Sequence, residues 1–441
     1  MVDTIHIAYA LNEKYAEMTC VSMCSVLANC DDSTIVFHLF AEQLSEEHTK
    51  KISDLCVGWE SISICYHDIK IDGELFVTAE HKGFATPSLT KETYARMLIP
   101  ELLPDLERLL YLDCDTIVEG NIAQLWEIDL GDALAGMVPD YSLGSKKEKK
   151  QIIGLAESSI YFNGGVILMN LSGLRKFPLR RIATENVVDL YRKITDAGLD
   201  WCADQEVLNY ALSGRIKKLP MKFNSYFWMS LPLGVSIGEC VEALLNPAIV
   251  HFVATPKPTE LGYMPVNVPE WGRYYKYKAM SPFADDNDAV RIAIFKSRES
   301  NTLNALLPPF YNDMIHWFSF HFANQLFSLA AERYIATANG KEIVIWGLNE
   351  RVWLLTVFLV AQELDVIGIV DGLSENHGIA VFDYIVDSPD ILRNRVGETF
   401  VMLDMRNHDI ALKVMEELKS WGYTEKDYCY VYAPIWEGTK I

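Results

Sequence analysis

Two aspartates separated by one residue form the triplet Asp113-Cys114-Asp115, which follows the apolar run 109–112. If the extended geometry of that run continues, the two carboxylates lie on one face and the thiol on the other. Carboxylates this close repel each other, and a hard divalent cation such as Mn²⁺ or Mg²⁺ relieves the repulsion. The alternative is a surface turn with two solvated acids. The position after a buried strand favours the metal site.

The elements that position this triplet follow from the alternation of short apolar runs with amphipathic segments. The runs 5–10, 34–40, 61–66 and 109–112 predict strands, and the segments 15–29, 46–57 and 93–103 predict helices. This alternation is typical of an α/β fold with a mostly parallel sheet. Ligands of such sheets collect at the carboxyl ends of the strands, which is where the triplet stands.

The composition excludes several other classes of protein. The formal net charge is -21, so the phosphate backbone of a nucleic acid would be repelled. No apolar run reaches the ~20 residues of a membrane-spanning helix, and no basic and apolar leader opens the sequence. We therefore expect a cytoplasmic protein, with association at the inner face of a membrane left open. The nine cysteines are scattered and predict neither a disulfide scaffold nor a zinc site.

Five short motifs stand in a fixed order along the chain. They are ALNEKY at 10–15, TYAR at 93–96, YLDCD at 111–115, YFNGGV at 161–166, and DQ at 204–205 together with HFVATPK at 251–257. In this order they resemble glycosyltransferase family 8, the retaining enzymes that include bacterial lipopolysaccharide glucosyl- and galactosyltransferases and glycogenin. The resemblance covers roughly residues 3–280. It implies a GT-A fold, a nucleotide-sugar donor and Mn²⁺.

The resemblance also implies how the donor diphosphate is held. The metal ligands would be Asp113, Asp115 and His251, and imidazole is compatible with Mn²⁺. Arg96 would face the donor phosphates or sugar, because a guanidinium suits bidentate binding to anionic oxygens. The alternative for Arg96 is a salt bridge on a helix face. Lys257 would contact the diphosphate as a point charge, and the family's donor-binding positions also include Cys114 and Ala254.

The nucleoside and the transferred sugar have their own expected contacts. By resemblance, Ala10 and Asn12 would hold the uracil and ribose, and Tyr15 would flank the base. The sugar hydroxyls would meet a second set of residues, namely Asn163, Gly164, Asp204 and Gln205. Residues 163–165 precede the apolar run 166–169, which predicts a strand that begins after Gly165. Small residues at 164 and 165 let the backbone approach a sugar closely. We expect the catalytic groups to be Gln205, Asp204 and Arg96, and the alternative for Asp204 is a helix N-cap.

The sequence departs from the family pattern at four positions. Asn12 stands where the family usually has Asp, and Lys14 where it has Asn, which affects the uracil contacts. Ala254 stands where Gly is frequent, and Thr259 where Trp is frequent, which affects the phosphate contacts or the acceptor side. None of these departures removes an expected metal ligand.

Three regions are expected: a GT-A domain at 1–282, a helical linker at 283–340 and a smaller Rossmann-like α/β domain at 341–441. In the last, Gly347 follows a strand and Asp371 ends the next one, as in a dinucleotide-binding unit. Asn349 and Val352 replace the later glycines of that fingerprint, so an interaction or oligomerisation role is the default. The aromatic and basic stretch 271–278 either touches a membrane edge or a lipid-linked acceptor, or supplies core aromatics with solvated lysines.

The expected function is Mn²⁺-dependent (or Mg²⁺-dependent) transfer of glucose or galactose, with retention, from a UDP-sugar to a glycan or lipid-linked saccharide acceptor. Front-face attack by the acceptor is preferred over a protein nucleophile, because Gln205 is a poor nucleophile and Asp204 is the only nearby acid considered. Two rival functions stay open. One is a non-catalytic sugar-nucleotide-binding or scaffold protein. The other is a sugar nucleotidyltransferase, although the glycine-rich phosphate loop of that class is absent after the first strand.

Overall fold

The fold is described from a computed structural model of the chain. It describes residues 4–30, 33–59, 61–69, 91–140, 146–156, 158–226, 236–253, 257–259, 269–288, 291–292, 327, 330–338, 340–349, 352–405 and 407–431. The chain divides into two compact units. Unit 1 comprises Met1–Asp140, Gly144–Tyr226 and Asn246–Ser297, and unit 2 comprises Tyr141–Leu143, Phe227–Leu245 and Arg298–Ile441.

A seven-stranded sheet forms the centre of unit 1. Its strands are β1 Thr4–Ala10, β2 Thr34–Ala41, β3 Ile62–Asp68, β4 Arg108–Leu112, β6 Ala135–Pro139, β7 Phe162–Asn170 and β8 Ile216–Lys218, in the order β3-β2-β1-β4-β7-β6-β8. Neighbouring strands are parallel except for β7, which is antiparallel to both β4 and β6. The predicted mostly parallel sheet is therefore confirmed.

Two further strands and nine helices accompany this sheet in the described part of unit 1. The strands are β5 Thr116–Val118 and β9 Ile249–His251, which pair antiparallel with each other. The helices are α1 Ala16–Ala28, α2 Glu46–Asp54, α3 Ile99–Leu102, α4 Ala123–Trp126, α5 Lys146–Ile152, α6 Leu171–Lys176, α7 Leu179–Asp196, α8 Asp204–Ala211 and α10 Pro269–Lys278. Short 3-10 helices lie at Glu13–Tyr15, Leu55–Gly58, Lys91–Met97 and Met221–Asn224.

Apolar faces explain why these elements pack where they do. Helix α7 buries one stripe at 3.6-residue spacing and leaves its other face to water, as an amphipathic helix should. The buried stripe consists of Leu179, Ala183, Val187, Leu190 and Ile194, and it joins the core cluster that lies on one side of the sheet. Strands β4 and β7 are buried along most of their length, which fits their central position.

Two local predictions are corrected. The strand expected to begin after Gly165 begins earlier, at Phe162, so Asn163, Gly164 and Gly165 lie inside β7. The early start occurs because the backbone of Phe162 pairs with Pro139 of β6 and with the side chain of Asn209. The helix expected over 15–29 begins at Ala16, after a 3-10 turn that Asn12 caps.

The aromatic and basic stretch near residue 274 is part of the core of unit 1. Tyr274, Tyr275 and Tyr277 are each at most 3% exposed, and the hydroxyl of Tyr274 donates to Glu17 at 2.9 Å. The core alternative is thus the one that the structure supports. Its lysines are not all solvated, since Lys278 is buried against the carboxylate of Asp288.

Unit 2 contains a second, smaller parallel sheet. Its strands are β10 Glu342–Trp346, β11 Val366–Val370, β14 Thr399–Leu403 and β15 Tyr428–Tyr430, in the order β11-β10-β14-β15. A hairpin of β12 Ala380–Val381 and β13 Tyr384–Ile385 precedes β14. The helices with full bounds are α9 Ile237–Leu245, α11 Val352–Ala361 and α12 His408–Trp421, and 3-10 helices lie at Ser374–Asn376 and Pro389–Asn394. Of the expected helical linker at 283–340, only 283–288, 291–292, 327, 330–338 and 340 are described.

The dinucleotide-like features of unit 2 serve its own fold. The carboxylate of Asp371 accepts hydrogen bonds from the backbone N–H of Leu348 at 2.7 Å, from the N–H of Leu373 at 2.9 Å and from Asn376 at 2.8 Å. Gly347 has a φ of 128°, and a Cβ there would lie 2.4 Å from the carbonyl oxygen of Asp404. Both residues therefore hold the loops after β10 and β11. In the described part of the chain, no helix is long and apolar enough to cross a bilayer.

Candidate active site

The Asp113-Cys114-Asp115 triplet forms a turn between β4 and β5. Strand β4 ends at Leu112, and the hydroxyl of Thr116 donates to the carbonyl of Asp113 at 2.8 Å. The extended geometry expected from the sequence is therefore wrong at this point. The two carboxylates still converge, because the tight turn brings the carboxylates on either side of Cys114 toward one imidazole.

That imidazole belongs to His251, the last residue of β9. The antiparallel pairing of β9 with β5 places His251 opposite Thr116, directly after the triplet. Its Nε2 lies 3.2 Å from Asp115 Oδ1 and 3.7 Å from Asp113 Oδ2. Among the described residues, Asp113, Asp115 and His251 are the one group of three metal-ligating side chains whose ligand atoms all lie within 4.8 Å of one another.

A glycine makes room for this cluster. A Cβ on Gly165 would lie 2.1 Å from Cε1 and 2.6 Å from Nδ1 of His251, and 3.0 Å from Asp113 Oδ2. Gly165 also accepts the backbone N–H of Asp113 at 2.8 Å, which fixes the end of β4 against β7. The sequence pattern suggested small residues for a sugar; in the structure, residue 165 is small because an imidazole packs on it.

The donor set fits a divalent cation. Two carboxylates and one imidazole face each other, which is unfavourable unless positive charge stands among them. Oxygen with a single nitrogen ligand is the donor set of ions such as Mn²⁺, whereas zinc sites favour sulfur and nitrogen. The thiol of Cys114 does not join the set, because it donates to the carbonyl of Ala10 at 3.1 Å. Burial raises the pKa of that thiol, so it stays protonated.

Arg96 joins the Asp113-Cys114-Asp115 turn, called the metal turn below, to Gly164 and Asp204. Its Nη2 donates to Asp113 Oδ1 at 2.8 Å, and its Nη1 lies 2.9 Å from Asp204 Oδ2. The Nη1 group also donates to the carbonyl of Gly164, and Nε donates to the carbonyl of Thr93 at 2.9 Å. The guanidinium is buried, and it is engaged by protein carboxylates and carbonyls on several sides.

Asp204 opens helix α8 but does not cap it. The N-cap position is Ala203, whose φ of 54° is unusual for a residue other than glycine, and no side chain caps the helix there. Asp204 instead accepts from the hydroxyl of Thr93 at 2.7 Å and pairs with Arg96. Burial raises the pKa of Asp204 to about 6 against the opposing charge of Arg96. The strained backbone at Ala203 directs this carboxylate into the site.

Gln205 connects β7 to Asp140, the residue that follows β6. Its Oε1 accepts the backbone N–H of Gly164 at 3.1 Å, and its Nε2 donates to Asp140 Oδ2 at 2.8 Å. The other oxygen of Asp140 accepts from the hydroxyl of Tyr226 at 2.8 Å. Both ends of the Gln205 amide are therefore fixed next to residues 163–165 of β7.

Lys257 lies against the metal cluster. Its Nζ donates to Asp115 Oδ2 at 2.5 Å and to the carbonyl of Phe252 at 2.6 Å. Burial alone would raise the pKa of Asp115, but the charge of Lys257 outweighs it and holds that pKa below the usual range of a carboxyl. Asp115 is thus an anion that already has a cationic neighbour.

The residues expected around the nucleoside lie at the end of β1 and in the 3-10 turn that follows it. Asn12 accepts the N–H of Lys14 at 3.1 Å and donates to Glu92 at 3.3 Å, and Tyr15 ends the same 3-10 turn. Ala10 meets the metal turn through Cys114. Ala254 lies outside the described residues.

Several residues of the site carried no signal in the sequence. Asn224 lies 2.9 Å from His251 Nδ1, and Asn163 accepts from Asn224 at 2.8 Å. Asn224, Asp140 and Thr93 stand in no spacing that indicates chemistry, and Thr93 was noted only as part of the TYAR motif. Their roles depend on contacts between residues distant in sequence.

The chain is similar to known glycosyltransferases. A model described as Glycosyl transferase family 8 matches residues 6–258. Lipopolysaccharide 1,3-galactosyltransferase of Salmonella typhimurium is 26% identical over 279 residues, covering 62% of this chain and 75% of that protein. Lipopolysaccharide 1,2-glucosyltransferase of Escherichia coli is 25% identical over 307 residues, covering 68% and 86%. The crystal structure of the galactosyltransferase LgtC with donor and acceptor sugar analogues is 23% identical, with a TM-score of 0.52, and covers 65% of this chain and 100% of that one.

The fold is thus GT-A, the nucleotide-diphospho-sugar transferase fold, with an additional Rossmann-like sheet in unit 2. The chain belongs to glycosyl transferase family 8, since the family model matches more than half of its length.

Proposed function

We propose that the protein transfers a hexose, glucose or galactose, from a UDP-sugar to a saccharide or lipid-linked glycan, with retention and with Mn²⁺ or Mg²⁺. The observation that carries the proposal is the convergence of Asp113, Asp115 and His251 beside Lys257, at the carboxyl end of β4 in a family 8 chain. The relatives named as lipopolysaccharide glucosyl- and galactosyltransferases support a hexose donor and a glycan acceptor.

Asp113, Asp115 and His251 would hold the metal ion. When bound there, a divalent ion supplies positive charge to the diphosphate leaving group. Lys257 would add a second positive charge at the same oxygens, after exchanging part of its contact with Asp115. Asn163, Gly164, Asp204 and Gln205 would bind the sugar. Ala10, Asn12, Tyr15 and Ala254 would line the nucleoside and phosphate side.

The chemical step would be a front-face displacement. An acceptor hydroxyl oxygen attacks the anomeric carbon while the bond from that carbon to the diphosphate oxygen breaks. The electron pair of the broken bond goes to the diphosphate, which takes the proton of the acceptor hydroxyl. Gln205, fixed at both ends of its amide, would hold the sugar in place during this exchange.

Asp113→Asn tests the proposal. It keeps the shape of the side chain and removes one anionic ligand, so we expect Mn²⁺-dependent release of UDP from UDP-glucose or UDP-galactose to fall by at least about 100-fold. Asp129→Asn is the matched control, because Asp129 is exposed and caps a turn through the N–H of Gly131. Full metal-dependent turnover in the Asp113 variant would contradict the metal assignment.

Neither of the two rival functions would release UDP from a UDP-sugar. A scaffold protein would bind the sugar nucleotide without releasing UDP. A nucleotidyltransferase would form pyrophosphate from UTP and a sugar 1-phosphate. The region boundaries 1–282, 283–340 and 341–441, the cytoplasmic location, a peripheral membrane contact and a homo-oligomer stay proposals.

A further inference from the structure

Asn224 is a buried amide at the end of a 3-10 helix, and it is hydrogen-bonded at both ends. It is 0% exposed. Its Oδ1 lies 2.9 Å from Nδ1 of His251, and its Nδ2 donates to Oδ1 of Asn163 at 2.8 Å. Asn224 is not itself among the residues proposed to bind the donor or the metal; its polar contacts run from Asn163 in β7 to the imidazole of His251.

The direction of this chain of hydrogen bonds is determined at its far end. Oδ1 of Asn163 also accepts the backbone N–H of Gly165 at 2.8 Å, so that atom must be the carbonyl oxygen. Asn224 therefore presents its NH₂ group to Asn163 and its carbonyl oxygen to His251. Nδ1 of His251 must then carry the hydrogen, because two acceptors cannot share the contact.

The consequence appears on the other side of the ring. With the hydrogen on Nδ1, the lone pair of a neutral His251 is on Nε2, which faces Asp115 Oδ1 and Asp113 Oδ2. This is the orientation a metal ligand needs, and a buried partner on the second nitrogen is what sets it in metal sites generally. The opposite tautomer would place a hydrogen where the cation should be.

We propose that Asn224, oriented by Asn163, is a positioning residue that fixes the tautomer and ring orientation of His251 for metal binding. The inference rests on the metal site of the proposed function and goes beyond it, since it assigns a role to a residue outside the ligand set. Asn224 acts only through His251 and is not itself a catalytic residue.

The test compares three variants of the full chain by their affinity for Mn²⁺ alone, measured from the electron paramagnetic resonance signal of free Mn²⁺. Asn224→Leu keeps roughly the volume of the side chain and removes both of its hydrogen bonds. Asn224→Ala also removes both hydrogen bonds, but it leaves a smaller side chain. We expect both to weaken Mn²⁺ binding by about 10- to 100-fold. Asn224→Asp keeps an acceptor for His251, and we expect its affinity to stay within about threefold of the parent protein.

A purely structural role would give another pattern. Asn224→Asp also loses the bond to Asn163, so all three variants should then lower the melting temperature and the Mn²⁺ affinity together. Asn170→Ala is the matched control, because Asn170 lies at the opposite end of β7 and caps α6 through Gly173. It should lower the melting temperature and leave Mn²⁺ binding unchanged.

Three outcomes would each contradict one of these claims. If the parent protein binds Mn²⁺ and Asn224→Leu and Asn224→Ala bind it equally well, the role of Asn224 is overturned while the proposed function stands. If Asn224→Asp weakens binding as much as Asn224→Leu does, the tautomer argument is likewise overturned. If the parent protein binds no Mn²⁺, the metal site of the proposed function itself fails.

Discussion

At the scale of single residues, the site is a continuous set of contacts around one imidazole. His251 meets the two carboxylates of the metal turn on one edge and Asn224 on the other, and Gly165 lies against its ring. The position of the ring is therefore fixed by its neighbours before any ligand binds. Preorganisation of this kind lowers the cost of assembling a metal site.

Gly165→Ala adds only one methyl group, but we expect it to disrupt the site strongly. The added methyl group would lie 2.1 Å from Cε1 of His251, so the imidazole must move away from Asp113 and Asp115. We expect Mn²⁺ affinity to fall at least about tenfold, and stability to fall by about 1–3 kcal/mol as in other overpacked cores. Mn²⁺ titration and urea denaturation of the variant measure the two effects.

Gly238→Ala is the matched control for that substitution. Gly238 lies in α9, and a Cβ there would meet no atom within 4 Å. We expect unchanged Mn²⁺ binding and equal or greater stability, because alanine is the better helix former. Equal Mn²⁺ affinities in the two variants would show that the ring of His251 does not depend on the space at Gly165.

The sequence allowed part of this site to be predicted from residue types. The Asp-X-Asp spacing after an apolar run indicated a cation, and the resemblance to family 8 supplied His251, 136 residues further along the chain. Asn224 could not be predicted, because a buried amide has no periodicity and its role comes from a contact across 27 residues. The engagement of Arg96 by Asp113 and Asp204 also required coordinates.

At the scale of elements, strand pairing decides which distant residues meet. The short pairing of β5 with β9 brings His251 to the metal turn, and the antiparallel strand β7 brings Gly165 beneath both. The apolar runs allowed the strands to be predicted. The antiparallel direction of β7 could not be predicted, because the pattern within one strand does not show which strand it pairs with. The turn at Cys114 was missed for the related reason that the extended pattern of β4 gave no sign of its end.

A row of histidines crosses three neighbouring strands of the sheet and gives an element-scale prediction. His6, His38 and His67 lie on β1, β2 and β3, with consecutive ring nitrogens 3.0 Å apart. Burial, together with the charges of the two flanking histidines, lowers the pKa of His38 to about 4. The unfolded chain, with an ordinary histidine pKa near 6.5, therefore takes up this proton more readily than the folded one.

The sign of the effect follows directly. The stability that neutral His38 contributes is complete above about pH 6.5 and is lost as the pH falls toward 4, on the order of 3 kcal/mol in all. His38→Gln does not titrate, so its urea midpoint should fall less than that of the parent protein between pH 7 and 4.5. If the urea midpoints of His38→Gln and of the parent protein fall in parallel with pH, the histidine row does not cause the pH dependence of stability.

At the scale of the whole molecule, the negative net charge opposes the binding of an anionic donor at the candidate site. The chain carries a net charge of -21, yet the candidate donor is itself an anion. The local cations Arg96 and Lys257, placed beside Asp113 and Asp115, reduce the negative charge at the site where the diphosphate would bind. A metal ion would complete that neutralisation, so we expect donor binding to depend on the metal more than on the overall field.

The two units were predictable to different degrees. Alternating strands and helices indicated both α/β sheets, and a mostly parallel central sheet and a separate second sheet are confirmed. The assignment of α9 to unit 2 was not predictable from the sequence. The first residue of this helix, Ile237, donates its backbone N–H to the carboxylate of Asp383 at 2.8 Å, and Asp383 lies far along the chain. Local patterns do not encode such long-range contacts.

The most direct measurement for the account is a panel of nucleotide sugars incubated with the full chain and Mn²⁺ in the absence of acceptor, with release of UDP followed over hours. We predict slow hydrolysis of UDP-glucose or UDP-galactose that stops when the metal is chelated and that is lost in Asp113→Asn. Failure to bind or cleave any UDP-sugar in the presence of Mn²⁺ would contradict the claim that the Asp113, Asp115 and His251 cluster serves sugar transfer.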